Sequence, residues 1–258
     1  MRQFFWIFVF ESPDIIGKID KRRQVIGYKI FNAFNQNKLS GFFIMPLTLS
    51  QATDMISTMR DRWISLGRSP DTLYMYDNHI QGAADVAEAI ASKLGNVDPE
   101  RVYISALLHD IAKIDESPES MLGRFHGIIG YELLKDIDSD AARAALLHEF
   151  PWNKIPPFEK VSKKLLGNKN DYDFILNYVA ANPMKEEDLI IQLADTMANK
   201  DGIVTMEQRR DEYEKRFNME IPAELIQPYM DIKHHFDKKI GGDIYDLLPI
   251  QHKLQNQE

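Results

Sequence analysis

The 258-residue chain contains no cysteine. That excludes disulfides, thiolate-held zinc, iron–sulfur clusters and cysteine nucleophiles. A bound metal would have to be held by His, Asp, Glu or backbone oxygen, a ligand set that suits Mn, Fe, Zn or Mg. Positive charge is also short: 31 Lys and Arg against 39 Asp and Glu give a net charge of -8. Such a surface has no general attraction for nucleic acid or anionic membrane, although a local basic pocket stays open. The N-terminal apolar run "FFWIFVF" (4–10) is too short to span a bilayer. It also lacks the basic leader and small-residue cleavage site of a secretory signal. These absences imply a cytoplasmic protein with no membrane partner and no stable nucleic-acid binding, and they leave a homo-oligomer open.

What is present suits one large domain, or a main domain with a smaller addition: 44% apolar and 27% charged residues over this length. Residues 1–70 are rich in β-branched and aromatic residues separated by turn-formers. "FFWIFVF", "VIGYKIF" (25–31) and "GFFIMPL" (41–47) read as strands, and 49–67 reads as a helix stopped by Gly67. This is a small α+β segment whose role the sequence does not state. From Asp77 onward the periodicity is helical. One helix starts near Asp77 or Asn78 and stops at Gly95. The next is capped by Asp98, with Pro99 in its first position. Further helices are expected over 124–136, from a Ser139 cap to just before Pro151, over 172–180, over 185–202 with Gly202 after its end, and over 205–217. Residues 219–258 form a helical extension and polar tail beyond a helical domain at 71–218. No internal repeat or low-complexity region stands out.

The histidines carry the functional signal. His79 shares a helical stripe with Ala83, Val86 and Ile90, and His109 with Val102 and Ala106. His126 lines up with Ile129 and Leu133, His148 with Ala141, Ala144 and Ala145, and Asp195 with Ile191 and Ala198. All are inward-facing positions at helical spacing. A single histidine on an apolar face is ordinarily a satisfied core residue. Five helices each aiming such a residue inward, with Asp110 beside His109, are a different matter. Burying four imidazoles and two carboxylates uncompensated is costly, and one or two dications would remove the cost for all six.

The order His79 … His109-Asp110 … Asp195 resembles the H…HD…D signature of the HD-domain superfamily of metal-dependent phosphohydrolases. The likeness runs over about residues 75–200, through "NHIQGAADVAEAIA", "ALLHDIAK" and "LADTM". His126 and His148, between the HD pair and the last Asp, resemble the subset that holds two metals. "FHGIIGYELL" is similar to a segment of the YqeK-type branch, which hydrolyses diadenosine tetraphosphate. "HEFPW" stands where that branch has H-T-T-G, and the acidic-Pro-Arg ending after "LAD" is absent. The resemblance implies a mainly α fold, an HD-domain helical bundle behind the α+β segment. It implies that His79, His109, Asp110 and Asp195 hold one divalent ion, and that Asp110 bridges to a second completed by His126 and His148, with Fe or Mn as candidates. It implies a small phosphorylated substrate, a nucleotide or dinucleotide.

Lys113, one turn beyond His109, reads either as a phosphate or leaving-group contact or as a surface lysine at a helix C-terminus. Arg124 reads as a weaker phosphate-contact candidate or, more simply, as a solvated arginine. Trp152 could stack on a base or simply pack. The basic run 159–169 is a pocket-mouth cluster or a solvated loop. Two other functions are open: a di-iron oxygenase of the same superfamily, which shares the ligand set, and a non-catalytic nucleotide sensor, which should have lost a ligand.

Overall fold

A computed structural model describes residues 46–65, 67, 69–113, 125–160 and 169–250. The strands expected at 4–10 and 25–31, nearly all of the one at 41–47, most of the basic run and Arg124 lie outside these residues. The described part is mainly α, as expected. Its helices are α1 (Leu49–Ser65), α2 (Pro70–Leu94), α3 (Pro99–Leu108), α4 (His126–Leu134), α5 (Ser139–Leu147), α6 (Lys169–Ala181), α7 (Glu186–Thr196), α8 (Met206–Phe217) and α9 (Ala223–Ile240). A two-residue antiparallel hairpin, β1 (Ala198–Asn199) and β2 (Gly202–Ile203), follows α7. No described helix is long and apolar enough to cross a membrane.

Several helix boundaries differ from the sequence expectation, among them the end of α5, at Leu147 rather than just before Pro151. Helix α2 begins at Pro70, not near Asp77 or Asn78. The Ser69 side chain accepts from the Asp71 N–H and Pro70 takes the first turn, so the stronger N-terminal signal lies further upstream. Asp77 instead pairs with Arg60 at 3.2 Å, and Asn78 donates to the Lys200 carbonyl at 2.8 Å. Helix α5 is capped by Asp138 rather than Ser139. Helix α7 ends at Thr196, and Gly202 is a strand residue of the hairpin rather than a helix stop.

Helix α2 is the axis of the packing. Its buried stripe of Tyr76, Ile80, Ala83, Ala84, Val86, Ala87, Ile90 and Ala91 recurs at the i, i+3, i+4 spacing of one helical face. The alanines let α3 and α7 approach closely. Gly82 lets the hairpin in: an added Cβ would lie 3.2 Å from Ala198 Cβ. Ile104, Leu108, Leu134, Ile190, Leu193, Ile232 and Phe236 fill the same core.

Asp138 ties this core to the chain before α1. It caps α5 and accepts the Leu47 N–H at 2.9 Å and the Arg101 guanidinium at 2.6 and 2.8 Å. Burial opposes its ionisation, but Arg101 and the backbone donors outweigh burial and hold the carboxyl below its usual value. A lowered folded-state pKa stabilises above the unfolded value, and that stability is lost as pH falls through the folded one. Asp138→Ala should therefore cost about 3 kcal/mol near neutrality. In thermal melts the gap from the parent protein should close as the pH drops below the unfolded carboxylate value. A gap unchanged in acid would mean that the charge is not what matters.

Candidate metal centre

Helices α3 and α5 stop inside the molecule. Each ends at a leucine, Leu108 or Leu147, and a histidine caps it. The chain after Leu108 is a tight turn, with Ile111 N–H donating to Leu108 O and Lys113 N–H to Asp110 O. That turn lets two adjacent residues, His109 and Asp110, face one point, which a continuous helix would make difficult. His79 comes from the middle of α2, His126 from the start of α4 and Asp195 from the last turn of α7.

All six sequence-selected residues are buried, between 0 and 4% exposed, and they converge. Asp110 is central. Its Oδ2 lies 3.5 Å from Nε2 of both His79 and His109. Its Oδ1 lies 3.3 Å from Nε2 of both His126 and His148. Asp195 Oδ1 closes the first group, 3.1 Å from His79 Nε2 and 3.6 Å from His109 Nε2. In the second, the two Nε2 atoms of His126 and His148 are 3.1 Å apart.

Three of the imidazoles are turned the same way by backbone. Nδ1 of His79 faces the Ala198 carbonyl at 3.1 Å, Nδ1 of His109 the Ala106 carbonyl at 2.5 Å, and Nδ1 of His148 the Ala145 carbonyl at 2.9 Å. A carbonyl only accepts, so Nδ1 carries a hydrogen, and in the neutral ring the lone pair is left on Nε2, facing the cluster. Donor separations of about 3.0–3.4 Å are what a shell of ligands at about 2.1 Å produces. His109 Nε2, Asp110 Oδ1 and Asp195 Oδ1 have no hydrogen-bond partner among the described residues. Buried donor atoms of this kind fit a cation.

The electrostatics point the same way. Burial pulls His109 down, but the Asp110 and Asp195 carboxylates override it and push its pKa up to about 10. Burial would raise Asp110, yet Lys113 and His109 hold it well below the ordinary carboxylate range; His109 and His79 do the same for Asp195. His148 is lowered to about 4, by burial first and then by its cationic neighbours against Asp110. The cluster draws in positive charge, and a metal would compete there with protons.

Lys113 is not a surface lysine. It is 5% exposed, and its Nζ donates to Asp110 Oδ2 at 2.8 Å. Of its two sequence readings the solvated one is set aside, because this turn points inward. Trp152 packs: its indole donates to the Pro228 carbonyl and its ring meets His235 edge-on.

The helical spacing did not select Glu149. Its side chain is 3% exposed, its Oε1 lies 3.5 Å from His126 Nε2, and burial raises its pKa to about 7 against the pull of His126 and Lys113. A signal was present in the sequence. "ALLHE" (145–149) repeats "ALLHD" (106–110) with one conservative change, so a short internal repeat does exist.

Helix α4 brings His126 in through Gly127. A Cβ there would sit 2.3 Å from the Phe125 ring and 2.5 Å from Ala145 O, the carbonyl that orients His148. Gly127→Ala should destabilise the protein by about 1–3 kcal/mol through overpacking. It should also weaken an ion held by His126 and His148 by about 10–100-fold, while an ion held by His79, His109 and Asp195 is spared. Ion stoichiometry alongside a thermal melt would check this, and equal loss of both ions would refute it.

Helices converging on a buried histidine–carboxylate cluster make a helical domain whose inward-facing groups could hold a metal ion. Comparison supports one family for part of the chain: residues 76–200 match the family model of the HD domain. The match covers just under half of the chain and supports the HD superfamily for this segment, which contains all six of the residues above. HD domains are typical of metal-dependent hydrolases. No curated protein and no solved structure matches the chain.

Proposed function

We propose that the cluster holds two divalent ions and that the protein is a phosphohydrolase, cleaving a phosphoester or phosphoanhydride bond of a nucleotide or dinucleotide. The observation that carries this reading is the placement of Asp110, with one oxygen toward each histidine pair. Ions bound there would lower the pKa of an attacking water and offset charge on the phosphoryl oxygens.

The protein's own groups do the positioning. The Ala106, Ala145 and Ala198 carbonyls fix three imidazole tautomers. Tyr76 donates its hydroxyl to the Asp110 carbonyl at 3.2 Å and holds the turn. Burial keeps that phenol neutral, well above its ordinary pKa, so it remains a donor. Lys113 anchors Asp110 Oδ2 and supplies a buried positive charge beside the reaction centre, suited to a phosphoryl oxygen or the leaving group. Arg124 would add a second phosphate contact. All six metal-competent residues are retained, which disfavours a sensor that has lost its chemistry.

The test is metal analysis of the purified full-length protein, followed by a phosphate-release screen over nucleotides, dinucleotides and phosphomonoesters with Mn or Fe supplied. Turnover of a nucleotide or dinucleotide is the expected result. Oxygen consumption with no phosphate release would replace the hydrolase by the di-iron oxygenase.

A further inference from the structure

Two helix ends in this protein are built alike, but the reading above draws a carboxylate from only one of them. Residues 106–110 end α3 and residues 145–149 end α5. In each, the helix stops at the second leucine, and the histidine is tied through Nδ1 to the alanine carbonyl three residues back. In each, the carbonyl of the acidic residue accepts a buried tyrosine hydroxyl: Tyr76 on Asp110 at 3.2 Å, and Tyr229 on Glu149 at 3.4 Å. Glu149 is thus the structural counterpart of Asp110.

Its surroundings do not suit a carboxylate that merely supports the fold. Such a group is normally hydrogen-bonded when buried. Neither Glu149 oxygen has a hydrogen-bond partner among the described residues. Its Oε1 instead lies 3.5 and 3.9 Å from the Nε2 atoms of His126 and His148. Those three residues form a group of donors within 4.8 Å of one another.

We propose that Glu149 is a ligand of the second ion, an inference that rests on the two-ion reading. The second site is then His126, His148, Glu149 and Oδ1 of Asp110. The first is His79, His109, Asp195 and Oδ2 of Asp110. Each ion receives two imidazoles, one carboxylate of its own and one oxygen of the shared aspartate. Three carboxylates leave two dications with one residual positive charge, to which Lys113 adds, so the centre suits an anionic phosphoryl group. Hard oxygen donors on both sides also favour Mn or Fe over softer metals.

The test titrates Mn(II) into the dialysed full-length protein, reading ions per chain by elemental analysis and spin coupling by electron paramagnetic resonance. The parent protein should bind two ions and show an exchange-coupled signal. Glu149→Gln should keep the first ion at unchanged affinity, weaken the second at least tenfold, and show the signal of an isolated ion. Glu149→Asp, which keeps the charge but shortens the reach, should give an intermediate second affinity; it carries the test if Glu149→Gln does not fold by circular dichroism. Two ions bound with parental affinity in the variant would overturn the proposal and leave the two-ion reading standing. Equal weakening of both ions would overturn it in favour of a structural role. Fewer than two ions in the parent protein would remove the two-ion reading and this proposal with it.

Discussion

Asp110→Ala is expected to strip the protein of its ions and lower turnover at least about a thousandfold while its helical signal persists. The size of the effect follows from position. Asp110 is fully buried, and its two oxygens face four imidazoles. No other described carboxylate spans both histidine pairs, so its loss opens both at once. Stability should fall as well, by about 3–5 kcal/mol, because Lys113 loses its 2.8 Å partner in a buried setting. Asp110→Asn keeps the volume and separates the two effects: fold retained, ions lost. Metal content, phosphate release and circular dichroism on the same preparation make the check. Normal turnover in either variant would mean that the chemistry lies elsewhere.

Lys113→Met is expected to do something different. Methionine fills much of the space of the lysine stem, so the fold and the bound ions should remain. If Lys113 meets charge that develops as the phosphoryl group transfers, kcat should fall about a hundredfold, equivalent to about 2.7 kcal/mol, with KM changing little. If the lysine only balances Asp110, the ions should change affinity and kcat per loaded centre should not. Steady-state kinetics at saturating Mn, with metal content measured in parallel, separates the two outcomes.

The residues of the centre differ in how readily the sequence reveals them. Histidine is uncommon enough that its place on an apolar stripe is informative, so His79, His109, His126 and His148 stand out and the structure brings them together. Asp195 and Asp110 follow by their spacing and adjacency. Glu149 does not, because an acid beside Phe150 and Pro151 reads as an ordinary solvated helix end. Finding it required comparing two five-residue segments 39 positions apart, a separation fixed by how α3 and α5 pack rather than by local periodicity. Lys113 is an intermediate case: its position allows either a surface charge or a phosphate contact, and the structure places it inside.

The helical architecture was legible because the apolar stripes and caps are strong. Ser69-Pro70 shows the limit: Asp77 and Asn78 are also good caps, and spacing alone cannot rank three start signals within one apolar stripe. The hairpin after α7 was hidden because Gly202 serves equally well as a helix stop or in a turn.

The carbonyls that orient His109 and His148 belong to the last turns of α3 and α5, where a helix leaves its acceptors unsatisfied. For these two histidines orientation is therefore not delegated to a separate layer of side chains; it is a property of the helix ends themselves. Fraying of either last turn and loss of imidazole alignment are one event, and a cation gripping the imidazole resists both. Loading the centre should then splint the ends of two helices that, with the metal removed, would be among the first parts of the domain to open.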